Sequence, residues 1–137
     1  MTTTTATIAT SLRRRARETL TALAAEFLLG MGVNLLPDDG GTATRILHSV
    51  VLGLHALVGV GLLVVAVRLL LAARRDALGP TEAIWALVAL GATFVCGVLT
   101  VLLQSDWFSF LMAAGFLVSA ILVVRILLLD SAVGSAS

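Results

Sequence analysis

The chain has 137 residues, of which 59% are hydrophobic and 12% charged, with a formal net charge of +1. A soluble domain carries about 25% charged residues, so a water-facing globule is excluded. All nine basic residues are arginine and are nearly balanced by acids, which leaves no electrostatic footprint for nucleic acid. The single cysteine, Cys96, excludes an intramolecular disulfide and a cysteine-cluster metal site.

Residues 1–17, MTTTTATIATSLRRRAR, read as a disordered segment ending in a basic collar, because the threonine-rich stretch has too little apolar surface to bury. A secretory signal is set aside: Glu26 interrupts the apolar run, no small-x-small cleavage site follows, and three further spans come after it. The first span is expected over about 18–36, stopped by Pro37, Asp38, Asp39, Gly40 and Gly41. The second is expected over about 46–73, with Arg68 near one end, where its long stem reaches back to the interface. After a break at 74–80, Thr81 is the candidate N-cap of a third span over 82–103, with Glu82 favoured in its first turn by the helix dipole. Gln104, Ser105 and Asp106 form a tight turn, the fourth span covers 107–129, and residues 130–137 read as a flexible tail.

These blocks are too long for membrane strands and show no period-two alternation. A bilayer core needs about 20 apolar residues per helical crossing. The expectation is therefore an all-α, integral membrane four-helix bundle with short loops. The N-terminal collar, Arg74 and Arg75, with Arg68 and Arg125 nearby, fall on one side; Arg45 with Asp38, Asp39 and Asp106 falls on the other. The positive-inside rule then gives an N-in/C-in, multi-pass protein of a bacterial inner (plasma) membrane. Trp107 and Phe108 suit the outer interface and Trp85 the inner one. Glycines and other small residues within the spans, including Ser49 with Gly53 and Ala92 with Cys96, are read as helix contacts. The expected partners are the lipid bilayer and further copies of the chain or a larger membrane complex.

The polar residues at membrane depth are the candidate site. At 1.5 Å per residue, Glu26 stands roughly 12 Å and Asn34 roughly 24 Å from Glu18, while His48 and His55 lie ~5 Å and ~15 Å below Arg45. In a core about 30 Å thick, His55 falls near the level of Glu26 and His48 near that of Asn34. The short connection between the first two spans makes them antiparallel neighbours, so a polar site centred on Glu26 and His55 is expected, open to the outer face through Asn34 and His48. The histidines lie within ~20° of one helix face, whereas Glu26 and Asn34 diverge by ~80°. Thr93, Thr100, Gln104, Ser109 and Ser119 are available to complete a network, although hydroxyls within helices commonly bond their own backbone.

An ionised glutamate at this depth must be neutralised, paired or hydrated. Three functions follow. The polar site fixes helix pairing in a structural or partner-binding subunit; or it takes part in proton- or solute-coupled transport; or the histidines bind haem. His48 and His55 share one helix, so a haem would need Met31 or Met112 as second ligand, or a second chain. A metal set of His48, Asn34, Asp38 and Asp39 is a further alternative, and the expectation is no bound metal and no cofactor. No nucleophile elbow, zinc-helix motif or phosphate-cradling glycine loop is present, which argues against an enzyme.

Two resemblances bear on this reading. The size and the single glutamate of the first span resemble the small multidrug transporters. AEFLLGMGVNLL nonetheless lacks that family's lysine and threonine, and the chain has no tyrosine. The stretches EFLLGMGVNLL, LHALVGVGLLVVAVRLL and SFLMAAGFLVSAILV together resemble a group of small four-span membrane proteins of high-GC bacteria, over about 110 residues. Glu26, Gly30, Met31, Asn34 and His55 are the matching polar and small positions. The resemblance implies the four-span architecture and no particular activity.

Overall fold

The computed structural model describes residues 2–36 and 41–135. They form four helices, α1 Thr2–Leu35, α2 Thr42–Asp76, α3 Pro80–Leu103 and α4 Asp106–Ser135. Among the described residues three stretches are long and apolar enough to cross a membrane: α2, α3, and Asp106–Leu129 of α4. α1 is not among them; its first half carries four arginines and Glu18, and its apolar half is interrupted by Glu26 and Asn34.

α1 starts well before the apolar run. Residues 2–17, expected to be irregular, are helical, and the physical reason lies in Leu12 and Ala16, which are buried and extend the apolar stripe one heptad beyond Thr19 and Leu23. Arg14 and Arg15 both reach Glu18, at 3.6 and 2.9 Å, which adds local helical support. α4 likewise continues past Leu129 to Ser135, into the stretch read as a flexible tail. The expected turn residues Pro37, Asp38, Asp39 and Gly40 lie outside the described residues; Gly41 is the N-cap of α2.

α2 ends in a Schellman motif. Ala77 adopts the left-handed conformation at φ 52°, its N–H donates to Arg74, and the Leu78 N–H donates to the Ala73 carbonyl at 3.1 Å. Gly79, at φ 61°, then redirects the chain, and Pro80 opens α3 at a position where its missing N–H costs nothing. The N-cap of α3 is thus Gly79, and Thr81, expected there, lies inside the helix. Gln104, also left-handed, closes α3 with its N–H on the Thr100 carbonyl at 2.9 Å.

Each helix touches two neighbours, in the cycle α1, α2, α3, α4 and back to α1, and packing is most extensive within the hairpins α1/α2 and α3/α4. Both hairpins are antiparallel. Passing from Glu26 to Gly30 and Gly32 on α1, the facing residue on α2 retreats from Gly59 to His55 and Val51; passing from Gly79 to Gly97 on α3, that on α4 retreats from Ile126 to Met112. The bundle therefore has a terminal end, holding the start of α1, the 77–79 turn and the finish of α4, and a tip end, holding Gly41 and the 104–105 turn.

The inward seam on every helix has alternating three- and four-residue spacing, the pattern of knobs-into-holes packing. On α1 it runs Leu12, Ala16, Thr19, Leu23 and Glu26; on α2, Gly59, Leu62, Ala66, Leu69 and Ala73. α3 supplies Ala83, Ala86, Leu90 and Thr93, and α4 supplies Ser119, Val123 and Ile126. All of these are buried, and all lie in the terminal half. Among the described residues, none in 27–36, 41–58 or 94–118 is buried.

Candidate functional site at Glu26 and His55

Glu26 is the last buried residue of the α1 seam, 8% exposed. His55 follows Gly59 on the α2 seam, one turn closer to the tip. The antiparallel register brings them together, with His55 Nδ1 3.2 Å from Glu26 Oε1. That separation suits an ion pair, but the two groups are not aligned for a hydrogen bond. His55 Nδ1 and Glu26 Oε2 are both buried without a hydrogen-bond partner among the described residues.

Two glycines make this approach possible. Glu26 Oε1 lies over Gly59, where a Cβ would stand 2.9 Å from it, and the His55 ring lies over Gly30, where a Cβ would stand 3.2 Å from Cε1. The arrangement is reciprocal. Glu26 precedes Gly30 by four residues on α1, and His55 precedes Gly59 by four on α2, so each polar side chain occupies the gap left by the other helix's glycine. Phe94 of α3 closes the pair from one side, at 3.5 Å from the same Gly59 position. Phe27 of α1 packs against Phe116 of α4, their ring centroids 6.1 Å apart, which ties the two hairpins together near this level.

Asn34 and His48 do not join the pair. Asn34 is exposed and His48 half-buried, and among the described residues no hydrogen bond or ion pair links either to Glu26 or His55. The ~80° divergence between Glu26 and Asn34 around the helix accounts for the first. The hydroxyls do not extend the network. Thr93, Thr100 and Ser119 donate to the carbonyls of Ala89, Cys96 and Gly115, each four residues back and within 2.9 Å. Of the possible haem ligands, Met31 is exposed, and the Met112 sulfur lies over Gly97 between α3 and α4. Asp38 and Asp39, half of the possible metal set, lie outside the described residues.

Gly30 and Gly59 are the site residues that sequence reading took for generic packing. Their signal is present in E-x-x-x-G and H-x-x-x-G, but it acquires meaning only once the antiparallel register superimposes the two motifs. Two open, shallow depressions mark the surface, one lined by Arg14, Arg17, Glu18, Thr21, Ala22 and Ala25, the other by Thr42, Arg45, Ile46, Ser49 and Val50. Neither reaches the pair. Fold and site together define a protein whose described residues are all-helical, with three membrane-compatible helices and a polar pair packed between the first two. No protein-family model, curated protein or solved structure matches the chain.

Proposed function

We propose that the chain is a four-span protein of a bacterial plasma membrane, with both termini cytoplasmic, acting as a structural or partner-binding subunit in which Glu26 and His55 clasp α1 to α2. The reading includes membership of the four-span group from high-GC bacteria that the sequence resembles. The reciprocal seating of Glu26 on Gly59 and His55 on Gly30 carries it. A side chain that fills its partner's glycine gap specifies both the pairing and the register of two helices, which is what a polar residue in a membrane bundle does best. The outward faces, rich in exposed side chains such as Phe27, Leu57, Leu102 and Leu117, suit lipid or further helices.

The alternative of coupled transport is tested in proteoliposomes under a pH gradient. Equal proton flux for the wild-type protein and Glu26→Gln is expected; flux that disappears in Glu26→Gln replaces the structural reading with transport. In mild detergent the chain is expected to purify as an assembly larger than one copy. Haem is tested on the same preparation, where no Soret band is expected after haem supplementation.

A further inference from the structure

We propose that Glu26 and His55 form a proton-binding site that exchanges with water only through the tip end of the bundle, the end carrying Gly41 and Gln104. The proposal rests on the reading that all four helices span the bilayer, but not on which side of the membrane the tip faces.

The pair has the chemistry. With Nδ1 and Oε1 3.2 Å apart, one proton has two resting places: on the carboxyl beside a neutral imidazole, or on the imidazole beside a carboxylate. Transfer needs the two side chains to rotate into line, and then moves that proton alone, breaking one O–H bond as one N–H bond forms. Glu26 Oε2, on the other side of the carboxyl from His55, is buried with hydrogen-bonding capacity that the described residues do not use, so a water molecule delivering or removing a proton has a carboxyl oxygen to bind.

The packing sets the direction. From Glu26 to Leu12 the α1 seam is buried over roughly 20 Å of rise, matched by α2, with buried positions over roughly 15 Å on α3 and roughly 10 Å on α4, and its side chains are mainly leucine, alanine, valine and isoleucine, none of which carries a proton. Toward the tip no described residue is buried. His48 stands there one heptad from His55 on the same face, about 10 Å away, with Thr100 and Ser109 on the α3 and α4 seams.

Among the described residues no other charge competes for the pair. On α1 the nearest is Glu18, already engaged by Arg14 and Arg15. On α2 the nearest titratable group is His48. α3 presents Thr93, Phe94 and the Cys96 thiol, with no charged residue between Glu82 and Asp106, and α4 presents Gly115 and Phe116, with none between Asp106 and Arg125.

The test uses full-length protein oriented in vesicles. The carboxylic C=O infrared band of Glu26, identified by its loss in Glu26→Gln, is followed while pH is changed on one side at a time. A response to pH on the tip side alone is expected. A response to the terminal side, to both sides equally or to neither overturns the proposal. In a Cys96→Ser background, a membrane-impermeant thiol reagent is expected to label His48→Cys from the tip side and Leu62→Cys from neither; labelled Leu62→Cys also overturns it. Labelling of Gly41→Cys and of an N-terminal tag from the same side would instead show that α1 does not span, a failure of the underlying reading with its own signature.

Discussion

The terminal half of the bundle holds every buried seam residue and the tip half holds none among the described residues, although the same three-four spacing runs through both. The difference lies in what occupies the seam. In the terminal half the seam is mainly leucine and alanine with valine and isoleucine on α4, and the hydroxyls of Thr19, Thr93 and Ser119 are satisfied by their own helices. In the tip half the seam positions include His48 and Ser109, while Thr100, like the hydroxyls of the terminal half, bonds its own helix. Polar atoms brought together without partners carry a desolvation penalty, so close approach there has little to recommend it. Within lipid, helices associate through packing and hydrogen bonding rather than through a hydrophobic drive, and only the terminal half offers uninterrupted packing. Glu26 and His55 mark the boundary between the two regimes.

The sharpest way to break this contrast is to truncate one leucine in each half. Leu69→Ala removes a side chain only 1% exposed and is expected to cost about 2–3 kcal/mol through the cavity it leaves. Leu52→Ala, at a half-buried position in the tip half, is expected to cost well under ~1 kcal/mol because the site can collapse or refill. Unfolding in mixed detergent measures both. Equal costs would mean that the tip half is packed as firmly as the terminal half.

The next effect concerns the clasp glycines. Gly59→Ala forces Glu26 Oε1 away from a Cβ that would otherwise stand at 2.9 Å, and a cost of about 1–2 kcal/mol is expected from overpacking. Gly30→Ala meets a ring edge at 3.2 Å and is expected to cost less. Gly61→Ala has nothing within 4 Å and is expected to be neutral or to stabilise by up to ~1 kcal/mol through helix propensity. If all three behave alike, the glycines are generic packing and the clasp has no special status.

A double-mutant cycle on Glu26→Gln and His55→Gln isolates the polar contact from the packing around it. A coupling of about 0.5–1.5 kcal/mol is expected, the range found for polar pairs between membrane helices. Zero coupling would leave proximity without interaction. Much of this arrangement was legible in the sequence. Helix number and order followed from the length of the apolar blocks, and counting rise per residue from Glu18 and Arg45 set Glu26 and His55 at one depth. What did not follow was the packing. Residues 1–17 read as disordered for want of apolar surface, because Leu12 and Ala16 show their value only against the neighbouring helices. Asn34 and His48 shared a depth but not a facing direction, and depth alone carries no azimuth.

The smallest expected effect compares the turns at the two ends. Ala77, between α2 and α3 at the terminal end, and Gln104, between α3 and α4 at the tip end, are both left-handed with φ 52°, where a Cβ crowds the backbone. Glycine relieves that crowding but adds conformational freedom to the unfolded chain, so each replacement is expected to raise stability by only about 0.5–1 kcal/mol. The gains need not match. Ala77 is held by two Schellman hydrogen bonds and continues into Gly79 and Pro80, which fix the path of the chain on both sides, whereas Gln104 is held by a single bond to Thr100. A left-handed residue locked by more contacts returns more of its strain when relieved. Ala77→Gly should therefore stabilise at least as much as Gln104→Gly, and the reverse order would show that the tip turn, not the terminal one, is the more tightly constrained.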